Sequence, residues 1–160
     1  MAALTSSRNT PEMADSGRIR VYPVEANTTI YLGSMVAIDS SGNAVPASAT
    51  TTSANALKVI GRAEYVVNGI PGQNAVNNPG AAGAIQIAVR KGVFMFGQDG
   101  SITNVTVASP CFAIDDNNVT ATDRASGATV QQYAVAGQVV AVDSSGEVWV
   151  DFWHQSTAAA

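Results

Sequence analysis

Residues 134–153 read Ala-Val-Ala-Gly-Gln-Val-Val-Ala-Val-Asp-Ser-Ser-Gly-Glu-Val-Trp-Val-Asp-Phe-Trp. Two segments rich in β-forming residues, 134–142 and 147–153, flank the short run Asp143-Ser-Ser-Gly146. That run has the composition of a hairpin turn closed by a glycine at positive φ. The end of the chain is therefore predicted to be a β-hairpin.

The last strand of this hairpin has two different faces. The first is apolar and is predicted to be core, because it carries Val148, Val150 and Phe152. The other face carries Trp149 and Trp153 on either side of a single acid. Buried tryptophan area is a common anchor of protein contacts, so a covered sheet or a subunit contact is favoured over simple exposure of the two rings.

The same unit is written again upstream. Val36-Ala-Ile-Asp39-Ser-Ser-Gly42-Asn-Ala-Val45 matches residues 140–149 nearly position for position, and Phe112-Ala-Ile-Asp-Asp-Asn-Asn-Val119 is a looser third copy. The copies are unequally spaced, which argues against a solenoid. A hairpin recurring within one sheet system is expected.

The remaining segments also favour strands, and none favours a helix. Ile19 and Val21 share one face of a strand that Pro23 ends or places at an edge. Residues 57–67 include the β-branched Val59, Ile60, Val66 and Val67 and predict a strand with a bulge near Gly61, followed by a hairpin turn at Asn68-Gly69. The other expectations are long loops over 46–56 and 68–83, a strand over 84–96 that is fully buried or shifts its facing at Gly92, and a short strand over 103–107.

The chain divides into an extended N-terminal arm (1–17), one β domain (18–153) and a flexible tail (154–160). The arm is small and polar and has no hydrophobic period, so by itself it is expected to be disordered. It either folds on contact with a neighbouring molecule or is an untethered tail. No apolar leader or membrane-spanning run is present in this sequence, so a soluble, unprocessed protein made in a cytoplasm is expected.

Charged residues make up only 12% of the chain, about half the usual share. A polar but uncharged surface costs less to desolvate than a charged one, which suits a protein packed against others. The net charge is −4 and the eight Lys and Arg residues are scattered, so nucleic-acid binding is not expected.

No set of residues predicts catalysis. His154 is the sole histidine and lies near the chain end, and Cys111 is the sole cysteine, expected to be a small buried apolar residue. The adjacent pair Asp115-Asp116 precedes two asparagines and is interpreted as turn chemistry rather than a metal site. No metal, no cofactor and no enzyme activity are predicted.

Taken in order, the motifs of this chain resemble those of the head decoration, or capsid cement, proteins of tailed bacteriophages. They are the arm Met1-Ala-Ala-Leu-Thr-Ser-Ser-Arg-Asn-Thr-Pro11, Ile30-Tyr-Leu-Gly-Ser-Met-Val-Ala-Ile38, Val59-Ile-Gly-Arg-Ala-Glu64, Ala81-Ala-Gly83, Val89-Arg-Lys-Gly-Val-Phe94, Ala113-Ile-Asp-Asp116, Ala136-Gly-Gln-Val-Val-Ala-Val-Asp143 and Gly146-Glu-Val-Trp-Val150.

The resemblance implies a small β-barrel or tulip-like domain, grouped as homotrimers on the exterior of the phage head. Its partner would be the lattice of major capsid protein, which it would stabilise after expansion against internal DNA pressure. The arm and the tryptophan face are predicted to make the subunit or capsid contacts, through Leu4, Arg8, Pro11, Trp149 and Trp153.

Two other functions stay open. The first is a ligand-binding β module, such as a carbohydrate or host-receptor binder on a virion, which would use exposed aromatic residues. The candidates for that role are Tyr22, Tyr31, Tyr65 and Trp153. The second is a structural protein of the phage tail.

Overall fold

A computed structural model of the chain describes residues 3–10, 12–14, 19–49, 57–68, 73–123, 127 and 133–152. The described residues form thirteen strands and one short 3-10 helix, so the predicted all-β class with a small barrel is confirmed. In chain order the strands are β1 (Glu12–Ala14), β2 (Ile19–Pro23), β3 (Thr28–Tyr31), β4 (Met35–Ile38), β5 (Ala44–Pro46), β6 (Lys58–Val66), β7 (Ala75–Asn78), β8 (Gln86–Arg90), β9 (Val93–Gln98), β10 (Pro110–Ala113), β11 (Asn118–Thr120), β12 (Ala134–Val142) and β13 (Val148–Asp151). The 3-10 helix is Asn104–Thr106.

Five strands close into a barrel in the order β9-β11-β10-β12-β13, because β13 pairs back onto β9. All pairings are antiparallel except the short one between β11 and β9, where Asn118 lies opposite Gly97. The arm strand β1 pairs with β9 opposite Val93 and Phe94, on the same edge of β9 as β11. Closure removes the exposed sheet edges that would otherwise pair with other chains.

A second sheet has the order β2-β8-β6-β4-β5 and curls on itself. Val24, which follows β2, bridges Ala44 of β5 at the far edge. The separate antiparallel pair β3–β7 covers this sheet, since Ile30 and Val76 are fully buried in its core cluster. The β7 strand was missed from the sequence, which predicted only a loop over 68–83.

Two hydrophobic clusters meet at β4. Met35 and Ala37 belong to the barrel cluster, while Val36 between them belongs to the cluster of the second sheet. The period of two along a strand sends alternate side chains to opposite faces, so β4 is shared by both cores. The predicted apolar face of the last strand is confirmed: Val148, Val150 and Phe152 are fully buried.

The repeated sequence forms equivalent hairpins. In the β4–β5 turn the Asp39 carboxylate accepts the N–H of Ser41 at 2.8 Å, and in the β12–β13 turn the Asp143 carboxylate accepts that of Ser145 at 2.9 Å. Each turn closes on a glycine at φ +86° (Gly42 and Gly146). The third copy, β10–β11, also forms a hairpin. The copies are nevertheless divided between two sheets, so the expectation of one sheet system is wrong.

Other local expectations have mixed outcomes. The bulge near Gly61 is confirmed, because Val36 lies opposite Gly61 but Ala37 lies opposite Val59. At Lys91-Gly92 the chain leaves the second sheet and enters the barrel, where the sequence predicted one strand. Residues 104–106 are a 3-10 helix instead of part of a strand, since Thr106 bonds back to Thr103 and closes a turn. The predicted Asn68-Gly69 turn and the tail 154–160 lie wholly or partly outside the described residues.

Candidate interaction surface

The acidic residues of the turns are bound to their own backbone. Besides Asp39 and Asp143, Asp115 accepts the N–H groups of Asn117 and Asn118 at 2.8 and 2.7 Å. The interpretation of this pair as a turn is therefore confirmed for Asp115. Within the described ranges, no three His, Cys, Asp or Glu side chains come together as a possible metal site.

The single cysteine lies in the barrel core. Cys111 is fully buried, and its thiol donates a hydrogen bond to the Gly137 carbonyl at 3.5 Å. Burial raises the pKa of this thiol to about 12, so the nucleophilic thiolate is not formed near neutral pH. The predicted buried apolar role of Cys111 is confirmed, whereas His154 lies outside the described residues.

Arg8 of the arm joins three elements of its own domain. Its guanidinium donates to the Met95 carbonyl at 3.2 Å, pairs with Glu147 at 3.0 Å and also donates to Asn117. Residues 93 and 94 of β9 have β1 as neighbour, and residues 97 and 98 have β11. The Met95 carbonyl lies between those two pairings, so Arg8 takes the place of a strand partner there.

The arm continues across the joint between the sheets. The Thr10 hydroxyl donates to the Gly33 carbonyl at 2.8 Å, and the Arg62 guanidinium donates to the Thr10 carbonyl at 2.8 Å. Arg62 also lies over the Phe94 ring, 4.6 Å from its centroid. Arg8 and Thr10 therefore find bonding partners within the same chain. The disorder expected of the arm by itself stays a prediction.

Of the five predicted contact residues, the structure describes three. Leu4 is half-buried, and its N–H donates to the Asp116 carboxylate at 3.3 Å. Trp149 is half-buried on β13, opposite Met95 of β9. Pro11 and Trp153 lie outside the described residues. The use of all five as contacts with other subunits stays a prediction.

Two of the tyrosines proposed for ligand binding, Tyr22 and Tyr65, do not share one surface. Tyr22 packs against the core of the second sheet, whereas Tyr65 is 47% exposed. Their cross-strand partners on β8, Ile87 and Ala88, are consecutive and point to opposite faces. Trp153, the fourth aromatic candidate, lies outside the described part of the chain.

The most exposed large apolar residue among those described is Val105, at 92%. It lies in the 3-10 helix, where the Thr103 N–H donates to the Thr106 hydroxyl at 3.1 Å and the Thr106 hydroxyl donates to the Thr103 carbonyl at 2.8 Å. Ala108, three residues after Val105, has φ +69°. Its N–H donates to the Val139 carbonyl of β12, and its carbonyl accepts a hydrogen bond from the Gln138 side chain. Residues 100–114 contain no charge. The turn thus presents an apolar tip on a fixed backbone, which sequence reasoning missed by predicting a strand.

A second exposed apolar patch lies on the second sheet. Val21 of β2 and Tyr65 of β6 are each 47% exposed, and Ala88 lies between them across the strands. Ile19, two residues before Val21, is 40% exposed. The alternation along the strand predicts that Ile19 and Val21 share one face, and this is confirmed. The exposure of Ile19 was not predicted, because that depends on the position of β2 in the sheet.

Comparisons with known proteins give no relative: no family model, no curated protein and no solved structure matches the chain. In the described ranges no helix is long and apolar enough to cross a membrane.

Proposed function

We propose that the protein is a decoration protein of a tailed-phage head, which binds the outside of the expanded shell as a homotrimer and bridges neighbouring major capsid subunits. The observation that carries this proposal is the Val105 tip, an almost fully exposed apolar residue on a braced turn within an uncharged run. An apolar residue in an uncharged surrounding costs little to desolvate, which suits contact with a protein partner. The order of motifs along the chain favours a phage shell.

The mechanism is mass action. A protein that binds the assembled lattice and not its separated subunits stabilises the lattice by its binding free energy, multiplied over many copies. A protein that acts in this way needs a rigid binding surface and does not need a reactive group. Arg8 contributes to that rigidity by fixing β9 to the turns that carry Asn117 and Glu147.

The test is co-sedimentation of the purified full chain with expanded shells and with unexpanded precursor shells. Stoichiometric pelleting with expanded shells alone is expected. Val105→Asp should abolish pelleting, since a buried unpaired charge is costly. Ser144→Asp, which adds the same charge at another exposed turn, should pellet normally. Failure of the unsubstituted chain to bind either shell would overturn the proposal.

A further inference from the structure

Strand β2 has one side open. In the second sheet it pairs with β8, its only strand partner among the residues described. Val24 donates its N–H to the Ile85 carbonyl at 2.9 Å, which makes Val24 and Ile85 a hydrogen-bonded pair. Because such pairs alternate along an antiparallel ladder, Tyr22 and Arg20 also direct their backbone groups to β8. The N–H and C=O groups of Ile19 and Val21 therefore point away from the sheet.

The open side is short. At Pro23 the backbone has no N–H to donate, and the next residue, Val24, is bridged to Ala44 of β5. This leaves the backbone groups of Ile19 and Val21, with Arg20 between them, as the place where another strand can pair. The exposed side chains of Ile19, Val21 and Tyr65 lie on one face beside that edge.

Arg20 decides what kind of strand fits. It is exposed and makes no ion pair among the described residues, while Glu64 of β6 is bound by Arg62 and Arg90. If Ile19 and Val21 formed hydrogen-bonded pairs with a new strand, Arg20 would occupy the intervening non-hydrogen-bonded position, where opposite side chains come closest. An acidic residue there would be attracted and a basic one repelled.

A second copy of the same strand fits poorly. Antiparallel pairing with Ile19 opposite Val21 of the other copy places the two Arg20 side chains directly opposite each other. A register centred on Val21 instead places Ile19 opposite Pro23, which lacks the N–H needed to complete that pair. Both registers lose stability, so charge and backbone chemistry favour a different partner.

The geometry points to the β2 edge as a docking site for an extended segment of a partner protein, with apolar residues opposite Ile19 and Val21 and an Asp or Glu opposite Arg20. This is strand addition to an exposed sheet edge, in which backbone bonds give affinity and the flanking side chains give selectivity. The inference rests on the proposed function only for the identity of the partner, which would be a shell protein.

The experiment uses the isotope-labelled full chain and three acetylated, amidated peptides, Ser-Thr-Val-X-Val-Thr-Ser, in which X is Glu, Gln or Lys. The Glu peptide is expected to shift the amide resonances of Ile19 and Val21, to protect both amides from hydrogen exchange, and to bind roughly tenfold more tightly than the Lys peptide. Arg20→Glu should reverse this order. The control Lys58→Glu, an exposed change of equal charge elsewhere on the sheet, should leave the order unchanged.

Two results would overturn the inference: no peptide affects Ile19 and Val21, or Arg20→Glu keeps the wild-type order. The peptide assay does not require shells, so it separates this inference from the proposed function. Peptide binding without shell binding keeps the docking site and removes the phage partner. Shell binding by a chain whose β2 edge ignores the peptides keeps the function and moves its contact to another surface.

Discussion

Individual acidic residues of this protein divide into two kinds according to what surrounds them. Asp143 is partly exposed, and the N–H and hydroxyl of Ser145 lower its pKa by bonding to the charged form. Asp116 is 6% exposed, and burial raises its pKa, with the neighbouring charge of Asp115 acting in the same direction. The Leu4 N–H opposes that rise only in part. Ionisation of Asp116 therefore destabilises the folded state, whereas ionisation of Asp143 stabilises it.

Asp116→Asn tests this difference through pH. Because the pKa of Asp116 is raised in the folded state, the folded chain binds this proton more tightly than the unfolded one, and stability falls as pH rises through the interval between the two pKa values. The variant is expected to be more stable than the wild type at pH 7, with the difference disappearing below the unfolded pKa, about 3.9. Urea unfolding of both proteins between pH 3 and pH 7 checks this. A difference that does not change with pH would contradict it.

Among the elements, the arm depends on one glycine of the body. Gly33 has φ +89°, and a Cβ there would overlap the Arg8 carbonyl oxygen, whereas Gly42 has φ +86° with open space around it. Gly42→Ala should cost about 1–2 kcal/mol of backbone strain. Gly33→Ala should cost that amount and also displace the arm, so its loss of stability should be clearly larger.

Deleting residues 1–10 supplies the matched control for the arm. In the shortened chain the two glycine substitutions should cost nearly the same free energy of unfolding, because the atoms that crowd Gly33 are gone. Urea unfolding measures this for Gly33→Ala and Gly42→Ala, each made in the full chain and in the shortened chain, with the two unsubstituted chains as references. If Gly33→Ala remains the more costly substitution without the arm, the docking of residues 3–10 is not its cause.

How far the elements could be predicted depends on how local their causes are. The Asp-Ser-Ser-Gly turns contain their own hydrogen-bonding partners, so the sequences of residues 39–42 and 143–146 are enough to predict the hairpins. Strand β7 pairs with β3, with Ile30 opposite Val76, and nothing in the polar run around Val76 indicates so distant a partner. The exposure of Ile19 and Val21 could not be predicted either, because it follows from the edge position of β2 in the sheet. The role of Arg8 depends on three elements that are far apart in the sequence and meet only in the fold.

The whole molecule has two cores that share strands. Met35 and Val36 of β4 belong to different clusters, and so do Val59 and Ala63 of β6. Neither core can lose its packing without releasing β4 from the other, so the chain should unfold in one transition. Val76→Ala removes buried volume from the second core, which has no tryptophan among its described residues, and should cost about 2 kcal/mol. In a Trp153→Phe background, the fluorescence of Trp149 on the barrel should report the same lowered urea midpoint as circular dichroism. Val105→Ala, the matched change at an exposed valine, should leave both midpoints in place. A Val76→Ala chain whose Trp149 midpoint stays at the wild-type value would show that the barrel and the second sheet unfold independently.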